Sequence, residues 1–135
     1  MIEDSCKLAV KLSAMSNYQT LEAWKKSMEL VKNVYELIRK YPREELYALA
    51  QQTKKAVVSI PSNIAEGLGR NYKKDTIQFL HISRGSLYEL ETLLLIAYSL
   101  DFLEEAGLNS LTRQVQECLR LLNGLIVYYE KSNLK

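Results

Sequence analysis

Four stretches of this chain repeat apolar residues in alternating steps of three and four, and the links between them are short. That spacing keeps one side of a helix apolar along its length, whereas a half-buried strand would alternate by two. The first stretch carries Leu21, Trp24, Met28, Val31, Tyr35 and Ile38, with Leu30, Val34, Leu37 and Tyr41 beside them. Pro42 ends it, because proline lacks an N–H and disfavours helical geometry in the residue before it. Residues 42–45 read as the first turn of a second helix, whose face runs through Leu46, Leu49, Thr53, Ala56, Ile60 and Ile64. Gly67 and Gly69 offer the positive φ at which helices end. A third helix opens near Asp75 and reaches about Ser99, with one stripe of Leu80, Ser83, Leu87, Leu90, Leu94 and Ala97. Its second stripe is Phe79, Ile82, Ser86, Leu93, Ile96 and Leu100. The fourth, capped by Asn109 or Ser110, carries Leu111, Val115, Cys118, Leu122, Leu125 and Tyr129.

Short links make consecutive helices antiparallel neighbours, so the expected fold is all-α, an antiparallel up-down-up-down four-helix bundle. Residues 15–135 fit one domain, and residues 1–14 read as an N-terminal extension of uncertain structure. With 47% hydrophobic and 25% charged residues the chain is too apolar to be disordered. Only 5 Gly and 2 Pro leave it without the turns of an all-β protein. No apolar run approaches the ~20 residues that span a bilayer, and the first residues are charged where a signal peptide is apolar. A cytoplasmic protein with no membrane partner is expected. Cys6 and Cys118 read as reduced structural thiols, and with His81 as the one histidine neither a metal site nor another cofactor is expected. The first and third helices each carry more apolar surface than one bundle covers. A closed homo-oligomer is therefore expected, with Phe79, Ile82, Leu93 and Ile96 at its interface.

The stretch VVSIPSNIAEGLGR, residues 57–70, places Pro61, Asn63 and Glu66 within an otherwise apolar helical pattern. An interior proline costs about 3 kcal/mol and orphans the carbonyl four residues back, here that of Val57. The expected consequence is a kink or opened turn at residues 57–61, with Ser59 and Ser62 available to the freed backbone groups. Asn63 and Glu66 are three apart and share a side of the helix, where they could form one polar cluster. Catalysis is not supported: no spacing puts Ser59, Ser62 or Glu66 beside a matched base, and His81 is remote in sequence. A buried polar network is the leading expectation, with partner or ligand recognition as the alternative. Ser83, Gly85 and Ser86 form a run of small residues that would let the second helix come close. The nine tyrosines lie mostly at helical spacing and read as core or interface.

These residues carry a resemblance. Residues 59–67, SIPSNIAEG, followed by Phe79-Leu80 and by residues 85–92, GSLYELET, closely resemble the four-helix-bundle family of 23S ribosomal RNA intervening-sequence proteins. Leu21, Trp24-Lys25, Tyr41-Pro42, Glu45-Leu46-Tyr47, Gln52 and Lys55-Ala56 match as well. Lys54-Lys55, where arginine is common, and Ser83, where alanine is usual, depart from the pattern. The resemblance implies a non-enzymatic bacterial protein, a ring-like homopentamer and RNA association. It makes Ser59, Pro61, Asn63, Glu66, Gly67, Gly85, Ser86 and Glu89 a family motif, read as structural. A related branch of the family implies the alternative: a protein-binding scaffold or accessory protein, for example to the reverse transcriptase of a diversity-generating retroelement encoded nearby.

The formal charge is only +2, but residues 15–71 hold nine basic and six acidic side chains against seven and eight in residues 72–135. In an up-down bundle Arg39, Lys40 and Arg43 fall at one end and Arg70, Lys73 and Lys74 at the other. Each trio is a candidate binding surface for ribosomal or other structured RNA, through a sequence-independent attraction to phosphates.

Overall fold

Helix α1 (Glu22–Ile38) buries Ala23, Ser27, Leu30, Val34 and Ile38. The stripe beside the expected one is thus the core face, while Met28 and Tyr35 of the other stripe are exposed. A computed structural model describes residues 17–135 of the chain; the expectations for residues 1–14 and Cys6 lie outside the described residues. Three further helices follow: α2 (Leu49–Leu68), α3 (Lys73–Ser99) and α4 (Glu105–Lys131). Each packs against its sequence neighbours, α4 closes back on α1, and the backbones of the diagonal pairs stay apart. This is the square of an antiparallel four-helix bundle. Leu30, Ile60, Ile64, Leu80, Leu87, Leu90, Leu94 and Leu122 fill its centre.

Two helix starts differ from expectation. Arg43–Glu45 is a separate 3-10 turn, and α2 begins at Leu49 where burial begins, with Leu46 and Tyr47 left exposed. Helix α4 begins at Glu105, ahead of the anticipated Asn109 or Ser110 cap. There Gly107 lies in the first turn, and a Cβ on it would stand 2.8 Å from Leu103 Cδ1. The glycine lets buried Leu103 of the preceding link lie against the helix. None of the four helices has a side-chain N-cap, so tertiary burial rather than capping sets the boundaries.

The glycines at the end of α2 also act differently from expectation. No described glycine has positive φ. Gly67 is a point of close approach: a Cβ there would stand 2.8 Å from Phe79 Cβ and 3.1 Å from the Thr76 carbonyl oxygen. Thr76 Oγ1 donates to the Gly67 carbonyl at 2.7 Å and fastens the α2–α3 corner. The left-handed position falls instead at Asp101 (φ 65), where the Phe102 N–H reaches back to Ala97 O at 2.9 Å and ends α3.

Candidate nucleic-acid interface

Helix α2 runs unbroken through Pro61, so the expected opened turn is not formed. Side chains from both helices serve the carbonyls just before the proline. Ser62 Oγ donates to Val58 O at 2.8 Å, Asn63 Nδ2 to Ser59 O at 2.7 Å, and Ser83 Oγ from α3 to Ile60 O at 2.8 Å. Asn63 Nδ2 also donates to Ser59 Oγ (2.8 Å), which lies 2.7 Å from Ser86 Oγ; Ser86 in turn donates to Ile82 O at 3.1 Å. With Ser59 as donor to Ser86, the hydroxyls form one directed chain between α2 and α3, each proton used. It fixes the register of the two helices at the proline.

Asn63 and Glu66 do not cluster. Glu66 is exposed and pairs with Arg70, Oε1 to Nη2, at 3.6 Å. Ser83 and Ser86 face α2, but Gly85 faces open space with nothing within 4 Å of a Cβ, and nothing in the structure explains it. Glu89 is exposed too, beside a shallow hollow shared with Tyr47, Gln52, Leu93 and Ile96. Among the proposed interface residues Ile82 and Ile96 are exposed (47% and 40%), and Phe79 is half-buried. Leu93 is corrected: at 4% exposure it belongs to the protomer's own core and has no surface to offer a second copy. His81 is exposed on α3, and Cys118 is a free, buried thiol pushed up to about 11 by burial.

The two cation trios have different surroundings. Lys40 shares a hollow of about 360 Å³ with Asp101 and Glu104 of the α3–α4 link, and Glu44 and Glu45 adjoin Arg43. That end is mixed in sign. At the opposite end the Lys73 N–H donates to Lys135 O at 2.7 Å and Lys73 Nζ to Ser132 O at 3.2 Å, drawing the tail after α4 onto the start of α3. These bonds bring Lys135 to Lys73 at the end of the bundle where the topology also places Arg70, Lys74 and Lys131, together with Glu22, Glu66, Asp75 and Glu130. The Arg70 guanidinium also lies 4.6 Å from the Phe79 ring centroid, which holds it over the α2–α3 corner. Lys73 gives its backbone N–H and one of its three ammonium donors to the tail. Sequence reasoning missed Lys131 and Lys135, which lie about sixty residues from Arg70 and share its end of the bundle only through the fold.

Chain direction, packing order and this fastened end define an antiparallel four-helix bundle with one predominantly basic end. The family model described as 23S rRNA-intervening sequence protein matches residues 19–124, and the chain belongs to that family. Among curated proteins none matches. A solved structure from Bacteroides thetaiotaomicron, a protein of unknown function from the S23 ribosomal protein family, is similar to this fold. It superposes with a TM-score of 0.72 at 22% identity, covering 77% of this chain and 94% of that one.

Proposed function

We propose that this chain is a non-enzymatic, RNA-associated protein that works as a homo-oligomer, a ring of five copies by the family resemblance. The observation that carries the RNA reading is the basic end, at which the topology places Arg70 of the α2–α3 link, Lys74 at the start of α3, Lys131 at the end of α4 and Lys135 of the tail. Cations so placed attract phosphate whatever the base sequence, and a ring repeats them once per copy. Self-association is supported by Ile82, Tyr88, Leu95, Ile96 and Tyr98, which α3 leaves exposed on a helix whose core face is already used.

A second reading, a protein-binding scaffold or accessory protein, draws on a separate feature. Tyr18, Trp24, Met28 and Val31 line an apolar groove of about 330 Å³ with Val58, Pro61 and Ala65 of α2. Titration of structured ribosomal RNA fragments at low salt, with light scattering on the same samples, decides between the two. The RNA reading expects saturable binding by a particle several chains in mass. An oligomer that binds no RNA hands the function to the scaffold reading.

A further inference from the structure

The basic end also carries aromatic rings that the core does not use. Tyr72, between Arg70 and Lys73 in the α2–α3 link, is 63% exposed, and Tyr128 on α4 is 63% exposed as well. Tyr72 is next to the residue that fastens the tail, and Tyr128 lies one helical turn before Ser132, to which that residue bonds. Tyr72 is thus within two residues of Arg70 and Lys74 in the chain, Tyr128 is one turn before Lys131, and the Lys73–Ser132 bond ties the two segments together.

Tyr128 is held and left open at once. Tyr129 meets it edge-on, with ring centroids 5.2 Å apart and planes at 87°, which supports one edge. A helical side chain leans over the turn before it, and the residue one turn before Tyr128 is Gly124. A Cβ at Gly124 would meet nothing within 4 Å. Packing therefore does not require a glycine in the middle of this helix, and the Tyr128 ring is open by its own 63% exposure. Exposed rings interleaved with cations are what unpaired nucleotides need: phosphates follow the cations while bases lie on the aromatic faces. A duplex keeps its bases stacked on each other and has none to give.

We propose that the basic end binds single-stranded RNA segments, with Tyr72 and Tyr128 as stacking platforms for unpaired bases. The inference rests on the RNA reading above and adds the class of RNA. The test measures fluorescence anisotropy of a short oligoadenylate and of a blunt RNA duplex carrying equal charge, each titrated with the full-length protein. The single strand is bound more tightly. Tyr72→Ala and Tyr128→Ala each weaken single-strand binding by about tenfold, leave duplex binding and the salt slope unchanged, and are rescued by Tyr→Phe. If the duplex is bound as tightly as the single strand, or both alanine variants bind like the parent, stacking is wrong while RNA binding stands, and the rings become a protein-contact surface. If the parent protein binds neither RNA at low salt, the RNA reading and this inference fall together.

Discussion

The two ends of the bundle each carry three cations within a few residues of a helix terminus, and their surroundings differ. At the α1–α2 end the cations stand among carboxylates: Lys40 faces a hollow shared with Asp101 and Glu104, and Arg43 precedes Glu44 and Glu45. At the α2–α3 end the end of α4 supplies Lys131, and the Lys73 bonds to residues 132 and 135 bring in Lys135. Equal local charge in the sequence thus becomes unequal charge in space, and the tail makes the difference. A cation cluster is a property of the fold, and which cations are free depends on what the backbone asks of them.

The comparison can be broken most forcefully at Gly67, which lets α2 and α3 meet at the basic end. Gly67→Val places a Cβ 2.8 Å from Phe79 Cβ and adds two methyls beyond it, with an expected loss of about 3 kcal/mol in chemical denaturation. Gly85→Ala, on the same pair of helices but with open space around it, is expected to be neutral or to gain about 1 kcal/mol.

Asn63→Ala removes two donors from the Ser59–Ser86 chain. It is expected to cost about 1–2 kcal/mol without changing RNA binding by the molecules that remain folded. An Asn63→Ala protein of full stability that has lost RNA would make the proline motif a recognition site instead.

At the mixed end Tyr41 is 6% exposed, its hydroxyl is buried without a partner among the described residues, and its ring packs against Phe102 at 5.8 Å. Burial pushes its pKa from 10.0 up to about 12. The folded state therefore holds this proton more tightly than the unfolded state. Its contribution is fully present below pH 10 and is lost as pH rises from 10 towards 12. Cys118, raised from 9.0 to about 11, adds a loss of the same sign that begins at lower pH. Tyr41→Phe is expected to stabilise by about 1 kcal/mol at neutral pH, having no hydroxyl to desolvate, and to flatten the alkaline fall in denaturation midpoint.

The smallest effect on stability belongs to Lys73→Gln, which removes a partly exposed hydrogen bond to Ser132 O and should cost under about 1 kcal/mol. It removes one of the two ties of the tail, leaving the Lys73 N–H to Lys135 O bond, and so loosens Lys135 at the basic end. RNA affinity should fall by more than the removal of a single charge explains, measured against Lys74→Gln as the control.

The helices were legible because their core faces repeat with helical spacing: Leu49, Thr53, Ala56, Ile60 and Ile64 on α2 and Leu80, Ser83, Leu87, Leu90, Leu94 and Ala97 on α3 are all buried. What misled was surplus hydrophobicity. In α1 two stripes competed, and only packing against α2 and α4 decides that Leu30 and Val34 are enclosed while Met28 and Tyr35 are not. On α3 the same surplus hid Leu93 in the core, one turn before exposed Ile96 of the same stripe. The proline motif announced a polar network, but its partner Ser86 lies 27 residues away, so the pairing with Ser59 could not be read locally. The basic end was half legible. Arg70, Lys73 and Lys74 are adjacent in sequence, whereas Lys131, Lys135 and Tyr128 reach them only because α4 runs antiparallel to α3 and its tail folds back.

The claim that one end of the bundle carries the RNA function is tested most directly by neutralising each end separately. Arg39, Lys40 and Arg43 are changed together to glutamine in one protein, and Arg70, Lys74 and Lys131 in another. Affinity for a structured ribosomal RNA fragment is then followed across salt concentration with the oligomer checked by light scattering. The second protein should bind more weakly, with a log–log slope shallower by roughly 0.7–0.9 for each phosphate it no longer neutralises, while the first keeps the parent's slope. Equal flattening in both proteins, or weakening confined to the first, would contradict the account.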